Sequence, residues 1–206
     1  TASSAVLNRV VGSQVSEIMG RLEANGRVFL INPNGIVFGP GARVDTNGFL
    51  ASTLSLSDAD FLAGKLRFLG DATSGTIRNE GLITVAPGGS IALIAPNIEI
   101  AGIIQAPGGH LLLAAGRRIE IVSLDFDGVT FEVQAPADTV LNLGKLLADN
   151  GAIQVFAGSL RHSGEIRANR MTQDADGSIR LVGSSEVVLT SDSVTRADGP
   201  TGGAIT

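Results

Sequence analysis

Apolar residues in this chain come in short blocks that alternate with polar or small residues and are punctuated by Gly, Asn and Pro. Ala86-Pro87-Gly88-Gly89 precedes Ser90-Ile91-Ala92-Leu93-Ile94, and Ala106-Pro107-Gly108-Gly109 precedes His110-Leu111-Leu112-Leu113-Ala114, a shift of 20 residues. Asn97-Ile98-Glu99-Ile100 is followed by Arg118-Ile119-Glu120-Ile121 at a shift of 21. The same block returns at Gly151-Ala152-Ile153-Gln154-Val155 and Gly177-Ser178-Ile179-Arg180-Leu181. Strict alternation argues for half-buried strands, and a repeat near twenty residues argues for stacked units that cannot bury their apolar faces alone. A chain that coils once per repeat stacks its strands about 4.8 Å apart in parallel ladders. The prediction is an all-β parallel β-helix of about ten turns, at the repeat length that defines such architectures. Ile91, Leu93, Ile98, Ile100, Leu111, Leu113, Ile119, Ile121, Ile153, Val155, Ile179 and Leu181 are expected to point inward.

Two stretches break the period. Ser57-Asp58-Ala59-Asp60 resembles a capping box, and Gly64 and Gly70 soon interrupt any helix begun there, so a short helix or excursion is expected near 58–64. The second break runs from Val122 to Lys145. There Asp127-Gly128 separates Leu124-Asp125-Phe126 from Val129-Thr130-Phe131, which predicts an antiparallel hairpin outside the helix. Earlier, Val15, Ile18, Met19 and Leu22 sit at helical spacing, but Ser16, Ile18, Gly20, Leu22, Ala24 and Gly26 alternate at period two and run straight into Val28 and Leu30. A glycine inside a helix costs about 1 kcal/mol, so strand is the better reading.

Between the apolar runs Val28-Phe29-Leu30-Ile31 and Val37-Phe38 lies Asn32-Pro33-Asn34-Gly35-Ile36. Asn32 suits the first position of a type I turn, Pro33 presets φ for the second, and Gly35 suits the fourth. Good turn chemistry alone accounts for such a segment in any β protein. Its flanks make it specific.

Composition narrows the function. The 206 residues carry a net charge of −5, and the 15 basic residues are scattered, with Arg117-Arg118 the one adjacent pair. That is no nucleic-acid footprint. No apolar run approaches the roughly 18 residues that span a bilayer. Cysteine is absent, which removes disulfides, Cys-ligated metals and thiol nucleophiles; this suits a protein that crosses an oxidising periplasm unfolded and equally suits many cytosolic proteins. No signal peptide is visible and no Met begins the chain, so it reads as a mature product or an excised fragment. With no Tyr or Trp and 8 Phe, aromatic platforms for glycans are disfavoured.

Asn8-Arg9-Val10, Ile18-Met19-Gly20-Arg21-Leu22-Glu23-Ala24-Asn25-Gly26 and the run from Val28 to Gly39 resemble the secretion domain of two-partner secretion (TPS) exoproteins. The likeness is to the filamentous-haemagglutinin amino-terminal domain, and within it the chain most resembles the high-molecular-weight adhesin branch. Gly41-Ala42-Arg43-Val44 and Gly48-Phe49-Leu50-Ala51-Ser52-Thr53 continue the likeness, which is dense over residues 4–53. The resemblance implies a right-handed, single-stranded, pectin-lyase-like β-helix. It implies one domain over residues 1–206, with some tens of amino-terminal residues of the family's domain missing ahead of the Asn-Arg-Val block. An upstream Asn-Pro-Asn-Leu motif found in other branches is not present. The resemblance further implies a place at the amino end of a large secreted adhesin, cytolysin or toxin of a Gram-negative bacterium. Such a domain is recognised by the periplasmic POTRA domains of a TpsB-type outer-membrane β-barrel transporter, then folds outside the cell and seeds the β-helix downstream. Asn32, Pro33, Asn34, Gly35 and Ile36 match the family's secretion signature, which acts either by touching the transporter or by stabilising the fold. No cofactor is implied. A host receptor or glycan would be met by the full exoprotein.

Other chemistry is thinner. His110 and His162 have no partner His at metal spacing and read as solvated or hydrogen-bonded. No Gly-x-Ser-x-Gly elbow marks a nucleophile. Asp45-Thr46-Asn47-Gly48, Asp125-Phe126-Asp127-Gly128 and Asp174-Ala175-Asp176-Gly177 offer oxygens but lack the further ligands of a calcium loop, so they read as turns. Some β-helices are polysaccharide-active enzymes. Glu99 and Glu120, at equivalent repeat positions, are the candidate carboxylates of such a site if they stack, and the simpler reading is that both point outward into solvent. An adhesive module, binding host glycan or protein on a ladder face, is the other alternative. The reading taken is a non-enzymatic secretion domain.

Overall fold

The computed structural model describes residues 4–123, 129–132, 137–172 and 177–206. The chain winds as a three-faced parallel β-helix. The first face stacks Ala5–Arg9, Arg27–Ile31, Gly48–Ser52, Ile91–Ala95, His110–Ala115 and the leading halves of Ala152–His162 and Ser178–Leu189. The second stacks Ser16–Ile18, Ile36–Phe38, Thr76–Asn79, Asn97–Ile100, Thr139–Asn142 and the trailing halves of those two long strands. The third runs from Arg21–Glu23 through Arg43–Thr46, Leu82–Val85, Ile103–Gln105, Lys145–Leu147 and Glu165–Arg167 to Val194–Arg196. Every pairing among these strands is parallel.

Inward positions form columns. Val28, Phe49, Ile91, Leu111, Ile153 and Ile179 stack on one face, and Ile36, Ile77, Ile98, Val140 and Leu160 on the next. Val44, Ile83, Ile104, Leu146 and Ile166 complete the triangle, all fully buried. Each such side chain contributes roughly 1.5–3 kcal/mol on burial. Leu93, Ile98, Ile100, Leu113 and Val155 point inward as expected, and Leu181 is partly buried against the same core. The alternating run from Ser16 to Gly26 is strand rather than helix, but it does not continue straight into Val28: it divides into Ser16–Ile18 and Arg21–Glu23, with corners at residues 19–20 and 24–26 before Arg27–Ile31.

Among the described residues the third face has seven strands, one per turn, fewer than the ten turns expected. Two turns carry excursions that consume a repeat's length each, so the residue stacked on Val37 is Arg78 and the residue stacked on Glu99 is Leu141. The excursions build a four-stranded antiparallel sheet from Ser55–Leu56, Leu66–Leu69, Arg118–Ile121 and Val129–Glu132. A helix, Asp58–Leu62, precedes Leu66–Leu69, and the Ser57 hydroxyl caps it by accepting from the Asp60 N–H.

This sheet lies over the outward side of the first face and creates a second core. Phe29, Ile31, Leu50, Ala92, Ile94 and Leu112 meet Leu56, Leu66, Phe68, Ile119 and Ile121 there. Phe61 of the helix closes one end, edge-on to Phe29 at 5.2 Å between ring centres. Ile119 and Ile121 are therefore buried, but outside the helix interior. The hairpin expected in 122–145 is antiparallel and extra-helical, yet its first arm is Arg118–Ile121 and its second Val129–Glu132. Its turn, 124–128, lies outside the described residues, and Thr139–Asn142 and Lys145–Leu147 have already rejoined the parallel ladders.

Candidate functional site

Asn32 to Ile36 forms the corner between the first and second faces in the second turn of the helix. The Gly35 N–H donates to the Asn32 carbonyl at 3.1 Å, closing the four-residue turn. The Asn32 side chain does the rest. Its Oδ1 accepts from the Asn34 backbone N–H at 3.0 Å and from Asn34 Nδ2 at 2.9 Å. Its Nδ2 donates to the Gln14 carbonyl at 2.9 Å and to Ser16 Oγ at 2.8 Å, both in the preceding turn. Asn32 is fully buried, and these four bonds use both N–H donors and both acceptor positions of its amide.

The corner is tied in both directions along the axis. Asn34 Nδ2 donates to the Gly12 carbonyl at 2.8 Å in the turn before. The Asn32 N–H donates to the Ser52 carbonyl in the turn after, and the Gly75 N–H donates to the Pro33 carbonyl at 2.7 Å. Thr53 Oγ1 donates to the Gly75 carbonyl, fixing that contact. Gly35 sits at φ +126°, a conformation that glycine alone adopts without strain. Ile36 points into the core between Ser16 and Ile77. The five predicted residues thus form one unit. Sequence reading missed its partners Gly12 and Ser52, although each lies one repeat length from Asn32, the signal that would have found them.

The other candidates do not converge. Glu99 lies on the second face between Arg78 and Leu141 in the ladder, whereas Glu120 lies in the antiparallel sheet between Arg67 and Thr130. The two carboxylates do not stack, because Arg118–Ile121 left the helix to pair in the excursion. Glu120 instead accepts from Arg67 Nε at 2.9 Å on the surface, which raises the Arg67 pKa. His162 is fully buried, not solvated. One ring nitrogen meets Asn142 Nδ2 at 3.0 Å, and the other reaches the Val194 carbonyl at 3.3 Å. Desolvation lowers its pKa from the usual 6.5, outweighing the backbone contacts to Val194 and Asn142 that raise it. Among the described residues no group of three His, Cys, Asp or Glu could hold a metal ion. Residues 124–128 and 174–176, which carry most of two of the acidic turns, lie outside the described residues.

A family model described as the TPS secretion domain matches residues 1–197. The chain belongs to the TPS secretion-domain family. A solved structure of the HMW1 secretion domain from Haemophilus influenzae is 37% identical to this TPS domain, with a TM-score of 0.91. That match covers 97% of this chain and 54% of the other. Two curated relatives, each named heme/hemopexin-binding protein and both from Haemophilus influenzae, are 37% identical over 75 residues and 46% identical over 55 residues. These matches cover 36% and 27% of this chain, and 8% and 6% of the relatives. The TPS domain thus spans about half of the HMW1 chain and a small fraction of the curated relatives. Its family is one of non-enzymatic domains of secreted exoproteins.

Proposed function

We propose that this TPS domain is the part of a larger exoprotein that a cognate TpsB-type outer-membrane transporter recognises through its periplasmic POTRA domains. Export carries it through the periplasm and outer membrane to the cell surface or medium. There the folded helix seeds the downstream β-helix. Asn32 to Ile36 belongs to the recognised signal and acts in two stages. In the unfolded chain its side chains are free to meet the transporter. In the folded domain the same groups are spent on the corner, so folding withdraws the signal and favours release.

The observation that carries this reading is the full internal pairing of the buried Asn32 amide, which leaves a partner nothing to bind at that residue in the folded state. The test is binding to purified POTRA domains of the genetically linked transporter. Native chain is compared with a Leu93→Asp variant held unfolded without denaturant. Saturable binding of the unfolded chain, weakened by Asn34→Ala, is expected. Binding of the native chain alone, or of neither form, overturns the reading.

A further inference from the structure

The sequence contains four Asn-Gly pairs, at Asn25, Asn34, Asn47 and Asn150. Asn-Gly is the dipeptide most open to deamidation, because a glycine with no Cβ leaves its backbone nitrogen free to approach the preceding side chain. The nitrogen attacks the Asn Cγ, forming a C–N bond. The Cγ–Nδ2 bond breaks, and ammonia leaves with the proton taken from the glycine N–H. Water then opens the five-membered imide at either carbonyl, giving Asp or isoaspartate.

The structure separates two of these pairs. At Asn34 the reacting groups are all committed. The Gly35 N–H is bonded to the Asn32 carbonyl, and Asn34 Nδ2 is held by the Gly12 carbonyl and Asn32 Oδ1. The peptide cannot swing, because a Cβ added at Gly75 would lie 2.6 Å from the Asn34 carbonyl carbon and oxygen, the measure of how closely the next turn packs on it. Asn25 is the opposite case. It is an exposed bend residue at the third corner, and among the described residues no hydrogen bond holds its amide or the Gly26 N–H.

We infer that Asn34 is a fold-gated deamidation site: it reacts while the chain is unfolded and is shut off when the corner closes, whereas Asn25 reacts in either state. Reaction at Asn34 is also disabling. An aspartate there has no N–H to give and aims oxygen at the Gly12 carbonyl and Asn32 Oδ1. Isoaspartate lengthens the backbone inside a turn closed by one bond from Gly35. The time spent unfolded then limits how much chain keeps an intact corner. The chemistry is independent of the transport reading, and its test needs no transporter, so the two fail separately.

The experiment incubates the 206-residue chain in mildly alkaline buffer with and without urea. Conversion at each Asn-Gly is followed by peptide mass mapping that separates Asp from isoaspartate. Reaction through local opening follows the open population, so Asn34 is expected to slow tenfold or more on folding, about 1.4 kcal/mol of opening free energy or above. Asn25 is expected to change by less than about threefold, since its segment needs no opening. Equal rates at Asn34 in both states, or equal protection of Asn25, overturn the inference. Urea-aged chain is then diluted to refold. Modified Asn34 is expected to concentrate in the fraction that fails to refold. An even distribution between the fractions overturns the disabling step.

Discussion

Replacing Asn32 with Ala removes four hydrogen bonds at a fully buried position and tests whether the corner holds the fold. Two bonds run from Nδ2 to the preceding turn, and two run into Oδ1 from Asn34. Each is worth about 0.5–1.5 kcal/mol net, and a partner left unsatisfied in the interior adds to the loss. Asn34 is only partly buried, so water replaces some of what its amide loses. The expected total is about 3 kcal/mol, a large share of the ~5–15 kcal/mol that a typical domain has. Urea unfolding of wild type and Asn32→Ala at matched m-value reads it directly. Asn34→Ala loses two side-chain bonds at a more exposed site, so about 1–2 kcal/mol is expected. The double variant loses the shared Asn34–Asn32 bond once, so a coupling near 1 kcal/mol is expected from the cycle, roughly the worth of one such bond. A loss below about 1 kcal/mol for Asn32→Ala, with m unchanged, refutes the corner as a structural staple. Any secretion defect of that variant is then assigned to direct contact.

Leu93 is fully buried in the inward column of the first face, so Leu93→Asp places a charge in the interior and is expected to abolish the cooperative unfolding transition; an unchanged melting curve refutes the register. Gly102 stacks on Gly81, and an added Cβ would lie 2.1 Å from the Gly81 carbonyl oxygen. Gly102→Ala is therefore expected to cost about 3 kcal/mol or more, read as a fall in the urea midpoint. For His162 the folded pKa is lowered, so the unfolded chain binds more protons below the ordinary value of 6.5. Its stabilising contribution is complete above that value and is lost as pH falls through it toward the folded pKa. The urea midpoint should drop between neutral and mildly acidic pH, and His162→Gln should flatten that slope; a slope unchanged in the variant refutes the assignment.

The helix was legible because alternation at period two reports a strand with one buried face, and the shift near twenty reports stacking. Leu93 and Ile98 fell out correctly on those grounds. The same rule misled at Ile119 and Ile121, since alternation says that a face is buried but not in which core. Arg118-Ile119-Glu120-Ile121 copies the letters of Asn97–Ile100 yet pairs antiparallel in the excursion. A different signal was available for the second core. Ile91–Ala95 and Leu111–Ala115 are apolar at every position, the mark of a strand covered on both sides. Corners hid behind changed letters. Asn150 adopts φ +62°, as Gly88 does at +79° and Gly108 at +62°, so Ala148-Asp149-Asn150-Gly151 is the same corner as the two Ala-Pro-Gly-Gly segments. Asparagine tolerates that conformation, and no repeat search on residue identity finds it. At Asn32 the motif itself was visible, but its function as a cross-turn staple depends on contacts that only stacking creates.

Those contacts set a minimum folding unit. The corner needs Gly12, Gln14 and Ser16 from the turn before, and Ser52 and Gly75 from the chain after it. Gly75 arrives only once the first excursion has been traversed, so a chain emerging from its amino end cannot close the corner until more than two repeats are present. Loop-closure entropy must be met before these non-local bonds form, which keeps the early segment open. A fragment of residues 1–60 tests this. It contains the whole motif and Ser52 but lacks Gly75 and the antiparallel cover. Its Asn34 and Gly35 amides are expected to exchange with solvent at unprotected rates, while in the full chain they are protected along with the core strands. Protection of those amides in the fragment would mean that the turn is stable on local chemistry alone. The signal would then be folded as soon as it is made, and the reading in which an unfolded motif meets the transporter would lose its physical basis.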